Sequence, residues 1–116
     1  MHSESVMDML PTPPELLFRA LADPTRRSLF ERLARDGEQT VRALTAGAGV
    51  SQPAVSRHLA QLKGAGLVRD RRSGRDVHYR ANAAALTPLA EWMARYAEFW
   101  RERFDDLEDL LKRMDQ

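Results

Sequence analysis

The stretch Thr40–Lys63, TVRALTAGAGVSQPAVSRHLAQLK, decides the fold. It divides into two short helical segments around a glycine-rich bend. The first helix is expected over Val41 to about Ala46. Gly47-Ala48-Gly49-Val50 follows, where a sharp turn needs backbone freedom that a side chain denies. Ser51 is a good N-cap for the second helix, and Pro53 falls in its first turn, where a missing N–H leaves no bond unmade. Val55, Leu59 and Leu62 recur at i, i+4 and i+7, an apolar stripe fit for a core. The other side carries Gln52, Pro53, Ser56, Arg57 and Gln61. Small polar groups and a guanidinium on one face, behind a short helix and a tight turn, give the build of a helix-turn-helix. In that arrangement the second helix enters a DNA major groove.

Working outward, Ala65-Gly66 ends the second helix. Leu67–Arg71 and Asp76–Arg80 read as two strands, with Arg72-Ser73-Gly74-Arg75 as the hairpin tip. A helix-turn-helix followed at once by a basic hairpin is a winged helix, with Arg71, Arg72 and Arg75 as phosphate contacts. Upstream, Thr12-Pro13-Pro14-Glu15 starts a helix running to about Ala22: threonine cap, early proline, and Glu15 reaching back as a capping box. Leu16, Leu17, Ala20 and Leu21 share one side of it, and Phe18 falls off that stripe. Asp23-Pro24 starts the next helix, Thr25 to Arg35, with Leu29, Phe30, Leu33 and Ala34 inward and Gly37 closing it. Arg26 and Arg27 stand at the wrong end for its dipole, so a structural pair with Asp23 or a phosphate contact is expected of them. Residues 1–11 lack periodicity and read as a mobile arm, leaving 12–116 as the folded domain.

After a connector at Ala81–Leu86, Thr87-Pro88 opens the last and longest helix, about 87–114. Leu89, Met93, Tyr96, Trp100, Phe104, Leu107 and Leu111 recur at spacings of three and four, with no glycine or proline inside the run. At ~1.5 Å per residue such a helix is roughly 40 Å long, more than this domain can cover. A seam that outruns its own core wants a partner helix. The expected interface is between two copies of the chain, through Leu17, Phe18, Leu89, Trp92, Met93, Tyr96, Trp100, Phe104, Leu107 and Leu111.

Charge follows the same division. The 116 residues carry a net +1, yet residues 37–85 hold eight basic and three acidic side chains, and residues 86–116 five and eight. The excess of positive charge therefore lies on the segment that would meet phosphates. At 43% hydrophobic the chain can bury a small core. It has no cysteine, which removes disulfides, thiolate catalysis and cysteine metal sites. No leader pattern or membrane-length apolar run is visible, so a cytoplasmic protein that needs no membrane is expected. No nucleophile–base set, phosphate-binding glycine loop or metal cluster points to an enzyme.

These residues resemble a known family. Phe18-Arg-Ala-Leu-Ala-Asp-Pro-Thr-Arg-Arg-Ser-Leu-Phe30 looks like the opening signature of the ArsR/SmtB winged-helix repressors. Ser51-Gln-Pro-Ala-Val-Ser-Arg-His-Leu59 looks like their recognition helix, and Gly66-Leu-Val with Arg-Ser-Gly-Arg looks like their wing. The resemblance covers about residues 14–100. It implies a mainly α fold with a small β-hairpin, in the order α-α-α-α-β-β-α. It also implies a homodimer joined through first and last helices, and repression at an inverted-repeat operator. Gln52, Ser56 and Arg57 match the family's base-reading positions; Pro53 stands where a small polar residue is common, and His58 flanks that face nearer the core. The metal sites of the family's best-known members are not matched. The first helix of the helix-turn-helix has no cysteine, and the lone Asp-x-His, Asp76-Val-His78, sits in a hairpin strand. A metal-independent branch without cofactors is therefore expected, its inducer unknown. The alternatives are a repressor released by a metal or small molecule, and a winged helix used for protein contact.

Overall fold

The computed structural model describes residues 13–115. The arm expected over residues 1–11 and the Thr12 cap lie outside the described residues. The chain runs α1 (Pro13–Ala22), α2 (Pro24–Asp36), β1 (Gln39–Thr40), α3 (Val41–Thr45), α4 (Gln52–Gly64), β2 (Val68–Ser73), β3 (Asp76–Ala81), a 3-10 turn (Ala83–Leu86), α5 (Thr87–Ala94) and α6 (Ala97–Met114). This is the mainly helical winged helix-turn-helix expected, with two differences: a third strand and a divided last helix.

Local chemistry sets most of the boundaries. The Asp23 carboxylate accepts the Arg26 backbone N–H at 3.0 Å, and Pro24 follows it, so α2 starts where a cap and a proline agree. Gly37, at φ 88°, donates its N–H to the Leu33 carbonyl and ends the helix in a conformation a side chain would strain. Thr40 and Ser51 cap α3 and α4 through the N–H groups of Ala43 and Ala54. The Glu15 carboxylate accepts from Arg19 one turn later at 3.0 Å, an i,i+4 pair; its expected reach back to Thr12 lies outside the described residues. One expected cap is different. Thr87 does not cap α5, because the 3-10 turn runs straight into the helix and the Thr87 N–H donates to Ala84 instead.

The core is one cluster: Leu17 and Ala20 of α1, Leu29, Phe30 and Leu33 of α2, Leu44 of α3, Val55, Leu59 and Leu62 of α4, then Leu67, Val68 and Tyr79 of the hairpin. The α4 stripe is fully buried, so the helix can present its other side to solvent only one way round. The sheet order is β1-β3-β2, all antiparallel. Two-residue β1 was not expected, and two residues carry no period to read. In the hairpin Ser73 pairs with Asp76, which leaves only Gly74 and Arg75 as the loop, tighter than the expected four-residue tip. Gly74 has φ 63° and Arg75 a negative φ, the pattern of a two-residue II′ turn.

The long C-terminal helix is not continuous. At Tyr96 the N–H turns to the Met93 carbonyl, three residues back, and the regular ladder resumes from Ala97. No glycine or proline causes this. Trp92 packs edge-on against Phe18 of α1 and against Tyr96, drawing α5 onto the body. Residues 93–115 are all exposed, so among the described residues α6 has no surface to hold it in line with α5. The radius of gyration is 19.1 Å, against about 13 Å for a compact domain of this length. The interface expectation changes accordingly. Leu17 is 3% exposed and serves its own core, and Leu89 packs on the same core. Met93, Tyr96, Trp100, Phe104, Leu107 and Leu111 stand 45–66% exposed.

Candidate nucleic-acid interface

Gln52, Pro53, Ser56 and Arg57 project from the first two turns of α4, all exposed. Arg57 makes no hydrogen bond or ion pair among the described residues. Ser51, by contrast, is occupied as the cap, its hydroxyl accepting the Ala54 N–H at 3.3 Å. His58 turns inward: it is half-buried, and its Nδ1 is buried without a partner. Close to it, Asp23 is held below the usual carboxylate range by the Arg26 N–H first, with the His58 ring and the Thr25 N–H contributing after that. His58 therefore belongs to the contact between α4 and α2 rather than to the outer face.

Gln61 does not join the reading face either. Its side-chain oxygen accepts from the Arg26 guanidinium. With Leu16, Arg19, Ala20 and Arg26 it borders a separate groove against α1. The same guanidinium donates to the carbonyls of Ala20 at 2.8 Å and Arg19 at 3.1 Å, and Arg27 donates to Leu21 at 2.7 Å. Both arginines thus close the C-terminal carbonyls of α1, where a cation is favourable, and neither makes the expected side-chain pair with Asp23.

The three hairpin arginines also separate. Arg71 donates to Glu38 through Nε at 3.1 Å and through Nη2 at 2.6 Å, spanning the middle strand. Each holds the other charged, Glu38 below its ordinary pKa and Arg71 above. His78 Nδ1 stands 3.7 Å from the same carboxylate. Arg71 is therefore not a free phosphate contact as expected. Arg72 and Arg75 have no acidic partner among the described residues, and both are exposed at the tip.

All three acids of the basic segment are ion-paired: Glu38 to Arg71, Asp70 to Lys63 at 3.0 Å, and Asp76 to Arg42 at 3.2 Å. Each pair ties the hairpin to a different part of the body. Arg42, which the sequence reading passed over, stands in the first turn of α3. α3 has only five residues, so Arg42 also counts in its last turn and the helix dipole gives no signal there. Among the described residues no three His, Asp or Glu side chains converge as a metal would require. No helix among them is long and apolar enough to cross a membrane.

Comparison with known proteins agrees with this geometry. A family described as a helix-turn-helix domain matches residues 21–71. The chain is 42% identical over 90 residues to the arsenical resistance operon repressor of Escherichia coli K12, covering 76% of this chain and 73% of that one. It is 51% identical over 69 residues to the arsenic resistance transcriptional regulator ArsR1 of Pseudomonas putida, covering 60% of this chain and about half, 53%, of that one. The homodimeric winged helix-turn-helix DNA-binding domain Mb0332 of Mycobacterium bovis superposes with a TM-score of 0.61 at 28% identity, covering 82% and 86% of the two chains. A reading helix, a wing and these relatives together make the assignment: the chain belongs to the ArsR/SmtB family of DNA-binding winged-helix transcriptional repressors.

Proposed function

We propose that two copies of this chain bind an inverted-repeat operator and repress by occupying the promoter. The observation that carries this reading is the exposed side of α4. Gln52, Pro53, Ser56 and Arg57 stand exposed, and two arginines without an acidic partner among the described residues lie at the wing tip. In this reading Arg57 takes guanine bidentately and Gln52 takes adenine. Ser56 supports the nearby backbone, while Arg72 and Arg75 add sequence-independent affinity. The dimer is supported by the uncovered apolar side of α6 and by the homodimeric relative. Two-fold symmetry then sets the two α4 helices in successive major grooves, roughly 34 Å apart.

Metal independence is part of the proposal. Some relatives are named for arsenic, and a thiophilic ion needs soft thiolate ligands. These 116 residues contain none. Fluorescence anisotropy with a random-sequence duplex at low and high salt tests the DNA reading, and sedimentation tests the dimer. Added arsenite, Hg(II) or Zn(II) is expected to leave DNA affinity unchanged. A monomer at micromolar concentration that ignores duplex DNA in dilute salt overturns the reading, and release of DNA by one of these ions overturns its metal-independent part.

A further inference from the structure

Between α3, the first turn of α4 and the hairpin tip lies a notch of about 230 Å3, bordered by Thr40, Arg42, Gln52, Ser56, Arg75 and Asp76. It adjoins the reading face, because Gln52 and Ser56 belong to both. Two guanidinium groups reach it. Arg75 has no ion-pair partner among the described residues. Arg42 is held by the Asp76 carboxylate at 3.2 Å, and this pair stands in solvent, its side chains 81% and 42% exposed. An exposed pair of this kind is weakly held and exchanges readily. Asp76 is also the one acid bordering the notch, on a surface that otherwise favours anions.

We propose that this notch seats a DNA backbone phosphate between Arg42 and Arg75, and that Asp76 withholds Arg42 until a phosphate is in place. The inference rests on the DNA-binding reading above and adds to it a backbone contact, Arg42, and the carboxylate that competes for it. On DNA that is loosely docked, phosphates fall out of register with the notch and Arg42 stays with its carboxylate. Once α4 is seated in its own site, one phosphate sits between two guanidinium groups and outcompetes a single carboxylate. Arg42 then strengthens the registered complex and adds nothing to the unregistered one. Because only the registered complex must break the pair, Asp76 lowers operator affinity and narrows the gap to bulk DNA, setting the strength of repression without touching a base.

The test compares two duplexes of equal length and charge, one enriched by the wild-type protein from a random pool and one of random sequence. Both are titrated by anisotropy against wild type, Asp76→Asn, Arg42→Gln and the double variant, with thermal melts to verify that each is folded. Asp76→Asn is expected to tighten enriched-duplex binding more than random-duplex binding, because only the registered complex has to give up the ion pair. The affinity ratio should rise about two- to fivefold per protomer, the range of one exposed ion pair. In the Arg42→Gln background the same substitution should leave the ratio unchanged. If Asp76→Asn tightens both duplexes alike, Asp76 acts by diffuse repulsion and the notch holds no phosphate. A ratio that falls with Arg42 in place, or rises without it, overturns the proposal as well. A pool that yields no preferred duplex removes the sequence-specific reading itself, a separate failure.

Discussion

Arg72 and Arg75 should dominate the salt sensitivity of DNA binding, while Arg71, one strand position away, should contribute almost nothing. The perturbations are Arg72→Gln/Arg75→Gln together and Arg71→Gln alone. Each phosphate neutralised steepens log K against log[salt] by about 0.9. Two tip arginines per protomer in a dimer therefore account for roughly 3.6 of the slope. Across 50 to 200 mM salt that amounts to about two powers of ten in affinity, lost by the wild type and spared in the double variant. Arg71 is gripped by Glu38 through both Nε and Nη2, so its charge is already answered. Anisotropy with a labelled random duplex at several salt concentrations reads both slopes. A monomeric complex would halve the drop to about 1.8. An Arg71→Gln slope that falls as far per arginine as the tip variant refutes the distinction between paired and bare arginines.

Further outcomes follow from the same geometry. Arg57→Ala should cost about 1–3 kcal/mol on an enriched duplex and far less on a random one, measured by competition between the two; unchanged preference would move the reader elsewhere. Leu107→Glu places a charge on the bare side of α6, where Leu107 is 50% exposed, and should give a monomer by sedimentation and no operator binding at concentrations that saturate the wild type. For pH, Glu38 is depressed from an ordinary value of 4.5. The unfolded chain therefore binds that proton first on acidification, and the stabilisation is present above about 4.5 and lost as pH falls through the folded value. The stability difference between wild type and Glu38→Gln, from denaturant unfolding, should be constant near neutrality and shrink in acid; a difference that grows on acidification would contradict the pair.

What could be read from sequence was what repeats locally. Val55, Leu59 and Leu62 announced a buried stripe, and all three are fully buried. Asp23-Pro24 and Ser51 announced helix starts at positions where their side chains do cap. What could not be read was pairing across distance. Glu38 and Arg71 are 33 positions apart, Arg42 and Asp76 are 34, and no period links them. That is why Arg71 looked as available as Arg72. Gln61 was misplaced for a different reason: the polar side of a helix is wider than its reading face, and the neighbour that claims one flank of it, Arg26 on α2, is a tertiary fact. The break at Tyr96 falls in the same class, since it follows from where α5 finds a surface and α6 does not.

The layout of charge also governs how the molecule arrives. Every acid between residues 37 and 85 is neutralised by a neighbour, while residues 86–116 carry an excess of three negative charges, mostly on an arm that leaves the body. A polyanion therefore exerts a torque on the approaching chain before contact, turning the wing forward and the arm away. The range of that torque is set by the ionic atmosphere, ~10 Å at 0.1 M salt. Salt should accordingly slow capture as well as hasten release, and the bimolecular rate constant, followed by stopped flow, should carry its own share of the salt dependence.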